Sequence, residues 1–160
     1  MSYSIEPLTA DCYPGTSVLI NKLDIRDEAA LASAEAELVT VRIAQWLLEP
    51  LEGTFDFSHY KAIHGRLFGD LYDWAGQIRT VDLSPKGTPF CPAGRIEERA
   101  AAIFFRLKNL HYLRGMEAEP LVEEVTDLYC STNELHPFRE GNGRAQRVFL
   151  AQLIRAAGMS

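Results

Sequence analysis

The sequence predicts a mainly α-helical fold, a compact orthogonal helical bundle with one small β-hairpin, and three observations carry that expectation. Five stretches repeat apolar residues at helical spacing, and no proline interrupts any of them. Only the segment around residues 78–91 alternates in the manner of paired strands. The 160 residues are 47% hydrophobic, 24% charged and 10% aromatic, which suits a single domain, 1–160, built on one core.

From Asp27 to Leu48 there is neither Gly nor Pro. Leu31, Leu38, Val41 and Leu48, with Ala34 and Ala44 between them, mark one face of a long helix that Pro50 ends. A second helix follows a cap at Asp56 or Ser58, places Tyr60, Ile63, Leu67, Phe68 and Leu71 together, and breaks at Ala75-Gly76. Ile78–Leu83 and Thr88–Cys91 read as two short strands joined by Ser84-Pro85-Lys86-Gly87, which has turn chemistry. Arg95–Leu113 and Leu121–Leu135 are the third and fourth helices, parted by Arg114-Gly115 and Pro120. Asn142–Ala157 is the fifth, with Gly158 as its stop.

Composition excludes several classes. The longest apolar runs, such as Ala100–Phe105, fall far short of the ~20 residues that cross a bilayer. The acidic N-terminus lacks the basic start of a secretory signal, so a cytoplasmic location is expected. Cys12, Cys91 and Cys130 show no paired spacing and read as reduced thiols. A net charge of −6 disfavours a general nucleic-acid binder. The imbalance is local: residues 1–80 hold 6 basic and 12 acidic side chains, residues 81–160 hold 10 of each. Arg139, Arg144, Arg147 and Arg155 crowd around the single acid Glu140, either as a solvated helix face or as an anion site.

The neighbours of those arginines are specific. In Leu135-His136-Pro137-Phe138-Arg139-Glu140-Gly141-Asn142-Gly143-Arg144, Pro137 disfavours helical geometry at His136 and so ends the fourth helix there. The imidazole is then a helix cap or a base presented at a loop. Gly141, Asn142 and Gly143 offer two residues free to take positive φ, and their backbone N–H groups can converge at the positive end of the next helix. Arg144 and Arg147 stand at i and i+3, one side of that helix, where two guanidinium forks suit phosphate. Glu140 supplies one carboxylate, which suits Mg²⁺ because that ion takes its other ligands from water and substrate phosphates. Phe138 is assigned to the core. A base, a carboxylate, a backbone anion hole and two arginines within twelve residues are what transfer of a nucleotide phosphate group needs.

This run follows, without a gap, the pattern His-Pro-Phe-x-(Asp/Glu)-Gly-Asn-Gly-Arg-x-x-Arg that marks the Fic family, so the chain resembles a Fic-domain protein over nearly its whole length. The resemblance implies an AMP transferase: ATP is co-substrate, Mg²⁺ the cofactor, and a target Tyr, Ser or Thr hydroxyl the acceptor. His136 is then the general base and Glu140 the metal ligand. Gly141, Asn142 and Gly143 cradle phosphate, Arg144 grips its β/γ end, and Arg147 secures the γ-phosphate or braces Arg144. The hairpin is similar to the family's target-docking flap, with Thr80, Val81, Asp82, Leu83, Lys86, Thr88, Pro89 and Phe90 against an extended target segment. Tyr13-Pro14-Gly15 resembles the toxin-like members that work with a small antitoxin, for which type II topoisomerase subunits are candidate targets.

Two further expectations follow from the resemblance. Doc-like kinases carry lysine where Gly143 stands, so glycine favours AMP transfer over the alternatives, a Doc-like kinase or a non-catalytic nucleotide-binding module. Many members are held inactive by a helix in which Ser or Thr is followed four places on by Glu and then Gly or Asn. Here Ser2 to Glu6 and Ser33 to Glu37 have that spacing, but Pro7 and Leu38 follow. Inhibition by an antitoxin in trans, through Arg147, is therefore expected, beside a helix lying beyond Ser160 or no such control.

Overall fold

The computed structural model describes residues 10–50, 52–84 and 89–158. Helix α1 spans Glu28–Leu48, α2 Phe57–Phe68, α3 Ile96–Asn109, α4 Ala118–Leu135 and α5 Asn142–Ala156. Single 3₁₀ turns at Ala93–Arg95 and His111–Leu113 flank α3. The starts of α1 and α2 are fixed by carboxylate caps, Asp27 accepting from Ala30 N–H and Asp56 from His59 N–H, each at 2.9 Å. Helix α2 stops at Gly69, earlier than its apolar spacing suggests, and Leu71 is buried from the turn that follows. Helix α4 begins at Ala118, before Pro120, because a proline in the first turn sacrifices no helical hydrogen bond.

Helix α2 lies against α1, α3 and α5, and α4 packs on α3 and α5. The centre is aromatic: Phe149 of α5 meets Tyr60 edge-on at 5.1 Å and Phe104 at 5.8 Å between ring centroids. One expectation for α1 fails in register. Its buried residues are Leu31, Glu35, Val39 and Trp46, while Val41 and Leu48 are 54% and 83% exposed. The face that packs inward carries a carboxylate, and that displaces the apparent apolar stripe.

No strand forms over residues 78–83 or 89–91, so the hairpin is corrected to two irregular arms. Ser84 takes part in a bridge and Phe90 N–H donates to Leu83 C=O at 3.1 Å; the tip, residues 85–88, lies outside the described residues. The reason is competition for backbone groups. Arg79 N–H donates to Pro137 C=O and Cys91 N–H to Glu134 C=O, both at 2.9 Å, so groups a ladder would use are spent on the end of α4. Two-residue pairing instead appears at the N-terminal turn, where Cys12 and Leu19 form an antiparallel bridge.

His64 of α2 is fully buried between Phe138, at 3.9 Å, and Phe68, at 4.6 Å. Its Nδ1 accepts from Gly76 N–H at 2.9 Å, so the proton sits on Nε2 and is donated to Glu140 C=O at 2.8 Å. Burial pushes this imidazole down to about 4. The unfolded chain, with histidine near 6.5, then binds the extra proton first, so the stabilisation is whole above 6.5 and is lost as pH falls towards 4. We expect denaturant midpoints to drop across that interval, by up to about 1.4 kcal/mol per pH unit for each such histidine, and His64→Gln to flatten the slope. A midpoint unchanged from pH 7 to 4.5 contradicts this.

Candidate active site

Helix α4 ends at Leu135 because Pro137 follows, and His136 becomes its cap with left-handed geometry (φ 42°, ψ 61°), not the extended form a pre-proline residue usually takes. Its N–H still closes the helix on Thr132 C=O at 3.0 Å. The ring is 2% exposed and stacks on Phe90 at 3.6 Å, nearly parallel. Its Nδ1 lies 3.2 Å from the Asn133 carbonyl, which can only accept, so the proton is on Nδ1 and the lone pair on Nε2. Burial, partly opposed by that hydrogen bond, pushes the imidazole down to about 4, with the Arg79 charge adding to the fall. At neutral pH it is uncharged. His136 is thus the cap of α4, and its neutral ring keeps on Nε2 the lone pair that a base needs.

The loop from His136 to Gly141 is closed by Asn142. Its Oδ1 accepts from Phe138 N–H at 2.8 Å and its Nδ2 donates to Phe138 C=O at 2.6 Å, so the side chain faces the loop while its backbone starts α5. Gly141 has φ +81°, and a Cβ there would stand 2.2 Å from the Phe68 ring. Gly143 does not share that freedom. It lies in the first turn of α5, so the anion nest consists of one left-handed residue and a helix N-terminus.

The arginines separate. Arg139 is buried, its Nε donating to Asp11 at 2.6 Å, which removes it from the expected anion cluster. Arg144 is half-buried and pairs with Glu35 of α1, its guanidinium lying over the Phe68 ring at 4.8 Å. Arg147 and Arg155 are exposed on α5. Glu35 in turn accepts from the Tyr72 hydroxyl at 2.5 Å. Glu140 accepts from Gly141 N–H at 3.3 Å; burial, and then the charge of Glu35, hold its carboxyl above the usual range. Glu140 lies near enough to Glu35 to feel its charge, a repulsion that a divalent cation would relieve, so Glu140 fits a Mg²⁺ ligand. Glu35, Tyr72 and His64 were missed by sequence reasoning. The available signal for Glu35 was its place four residues after Leu31 and four before Val39.

Among the flap residues, Thr80 and Pro89 are exposed, Val81 is half-buried and Leu83 is buried. Asp82 accepts from Ala93 N–H at 2.8 Å, fastening its arm to the start of α3. Lys86 and Thr88 lie outside the described residues. A groove of about 620 Å³ runs beside the arginines between α1 and α5, lined by Ile43, Trp46, Leu47 and Pro50 on one wall and Arg144, Arg147, Val148, Ala151 and Arg155 on the other. Among the described residues no helix is long and apolar enough to cross a membrane.

The chain is 41% identical over 146 residues to the probable protein adenylyltransferase Fic of Escherichia coli K12, covering 91% of this chain and 72% of that protein. It is 39% identical to the protein adenylyltransferase VbhT of Bartonella schoenbuchensis, covering 91% of this chain and 30% of that one. Among solved structures, BepC of Bartonella tribocorum with bound AMPPNP superposes with a TM-score of 0.87 at 29% identity, over 92% of this chain and 78% of that one. The Fic/DOC family model matches residues 54–154, the span that holds α2 to α5, the flap arms and the loop from His136 to Gly141, and the chain belongs to that family.

Proposed function

We propose that this protein is an adenylyltransferase that moves AMP from ATP to a hydroxyl side chain of a target protein and releases pyrophosphate. The observation that carries this reading is the tautomer of His136. A neutral imidazole, held by Asn133 with its lone pair on Nε2, sits one short loop before the nest and the arginines of α5. Nε2 takes the acceptor's proton, the oxygen attacks the α-phosphorus, and the bond from that phosphorus to the oxygen bridging to the β-phosphate breaks. The Gly141, Asn142 and Gly143 backbone and the N-terminus of α5 receive the growing negative charge. Arg144 and Arg147 hold the β- and γ-phosphates, and Glu140 holds Mg²⁺, which when bound draws charge from the phosphates. The flap arms position the acceptor segment.

Gly143 favours AMP transfer over phosphorylation. A Cβ at that position would meet Arg147 Nη1 at 3.1 Å, so the lysine of Doc-like kinases would move the Arg147 fork. The apolar groove between α1 and α5 supports control in trans. Its apolar walls suit an apolar partner surface, and Arg147 lines it, so a partner carboxylate lying there would meet that guanidinium. Type II topoisomerase subunits with an acceptor tyrosine are the target class we carry over from the family resemblance.

Incubated with Mg²⁺ and host lysate, the protein should place label on protein from α-labelled ATP and none from γ-labelled ATP; the reverse pattern identifies a kinase and no label a binding module. His136→Ala should abolish transfer while Mg-AMPPNP affinity changes less than about threefold, and the acid limb of kcat/KM for ATP should lie near pH 4, not 6.5. Gly141→Ala meets both a positive φ and the Phe68 ring, strain of about 1–3 kcal/mol before any clash, and should lower the melting temperature and weaken nucleotide binding together. Arg144→Ala should weaken nucleotide affinity by about tenfold or more, read by calorimetry. If a partner helix controls the site through Arg147, charge reversal at Arg147 should release the protein from its co-purifying inhibitor.

A further inference from the structure

Arg79 is 4% exposed, and its guanidinium is spread over the backbone of three different segments. Nε donates to His136 C=O at 2.7 Å, Nη1 to Val81 C=O at 2.8 Å, and Nη2 to Cys91 C=O at 2.5 Å and to Leu135 C=O at 3.4 Å. Val81 belongs to the first flap arm and Cys91 to the second, while Leu135 and His136 end α4. The last carbonyls of a helix carry its partial negative charge, which offsets the cost of burying a cation there. Lysine cannot reproduce the contact, since a single ammonium cannot reach diverging carbonyls as a planar fork does.

We infer that Arg79 is a positioning residue of the transfer reaction, fixing the peptide that carries His136 against both arms of the flap that presents the acceptor. The inference rests on the AMP-transfer reading for what is positioned, but the geometry is independent of it. Arg79 N–H adds a bond to Pro137 C=O and Cys91 N–H one to Glu134 C=O, so each arm is tied to the end of α4 by main chain as well. Phe90, one residue before Cys91, covers a face of the imidazole. Base and acceptor therefore share one anchor, and a shift in it changes the distance between them without touching the nest.

The test compares Arg79→Lys and Arg79→Gln with the unaltered protein by three readouts: label transferred from α-labelled Mg-ATP in host lysate, affinity for Mg-AMPPNP, and the NMR titration of His136. The first should fall about 10- to 100-fold in both variants, and the second should stay within about threefold. The titration midpoint should rise in Arg79→Gln, where the charge that helps to lower it is lost. In Arg79→Lys, where the charge stays, it should move much less. Unchanged transfer, or nucleotide affinity falling in step with transfer, overturns the inference. The titration needs no target: absence of label from the unaltered protein defeats the AMP-transfer reading, whereas an unmoved His136 midpoint in Arg79→Gln defeats the role of Arg79. If Arg79→Gln does not fold, the transfer-to-affinity split in Arg79→Lys decides.

Discussion

The proposed site is a short loop between two helices, and its geometry follows from how tightly that loop is tied. Asn142 satisfies both backbone groups of Phe138 with one side chain, at 2.8 and 2.6 Å. Phe138, wholly buried, is then clamped in a pillar of rings, Tyr60 stacked nearly parallel on one side at 5.9 Å and His64 on the other at 3.9 Å. His64 adds a third tie through Glu140 C=O. The loop thus has its conformation set from its middle, so that its two ends, the imidazole cap and the left-handed glycine, are placed without moving parts. Preorganisation of this kind lets a few modest groups act on a developing charge without reorganising first.

The same economy shows in how charge is handled inside the protein. Two of the buried polar groups near the site are guanidiniums, Arg79 and Arg139, and both are committed, one to carbonyls at the end of α4 and the other to Asp11. The histidines around them, His64 and His136, are uncharged at neutral pH because burial penalises the imidazolium. Positive charge is therefore kept in the arginines, where it is permanent, and the imidazole we propose as the base stays neutral.

Much of this was legible in the sequence. The helices fall, to within a few residues at their ends, where apolar spacing puts them, and at α1 and α2 the Asp27 and Asp56 caps fix the start. The motif residues sit on one loop and one helix start because Pro137 and Gly141 leave the backbone little alternative. What was not legible depends on contacts distant in sequence. The two arms at 78–91 alternate like strands, but their hydrogen bonds are claimed by Glu134, Pro137 and the Arg79 side chain, none of which a local pattern can reveal. Gly143 was read as a second left-handed residue, whereas its task is room for Arg147. The apolar spacing of α1 picks out Leu31, Leu38, Val41 and Leu48 and passes Glu35 by; the buried face carries that carboxylate, which meets Arg144.

That last contact bears on how an acidic protein binds an acidic ligand. Distant charges count little, because salt screens them beyond about 8–10 Å, so the net −6 matters less than the local sum. Locally the four arginines of the sequence are reduced: Arg139 is neutralised by Asp11 and Arg144 is partly offset by Glu35, while Glu140 adds a further carboxylate beside them. What remains is Arg147, a share of Arg144 and the helix N-terminus. That sum is small beside the charge of a free triphosphate, and the two neighbouring carboxylates would repel one. Both difficulties are met if the nucleotide arrives with its divalent cation, which cancels phosphate charge and gives Glu140 a partner. On this argument the weak positive field would disfavour bare polyphosphate and favour the metal complex that the proposed function calls for.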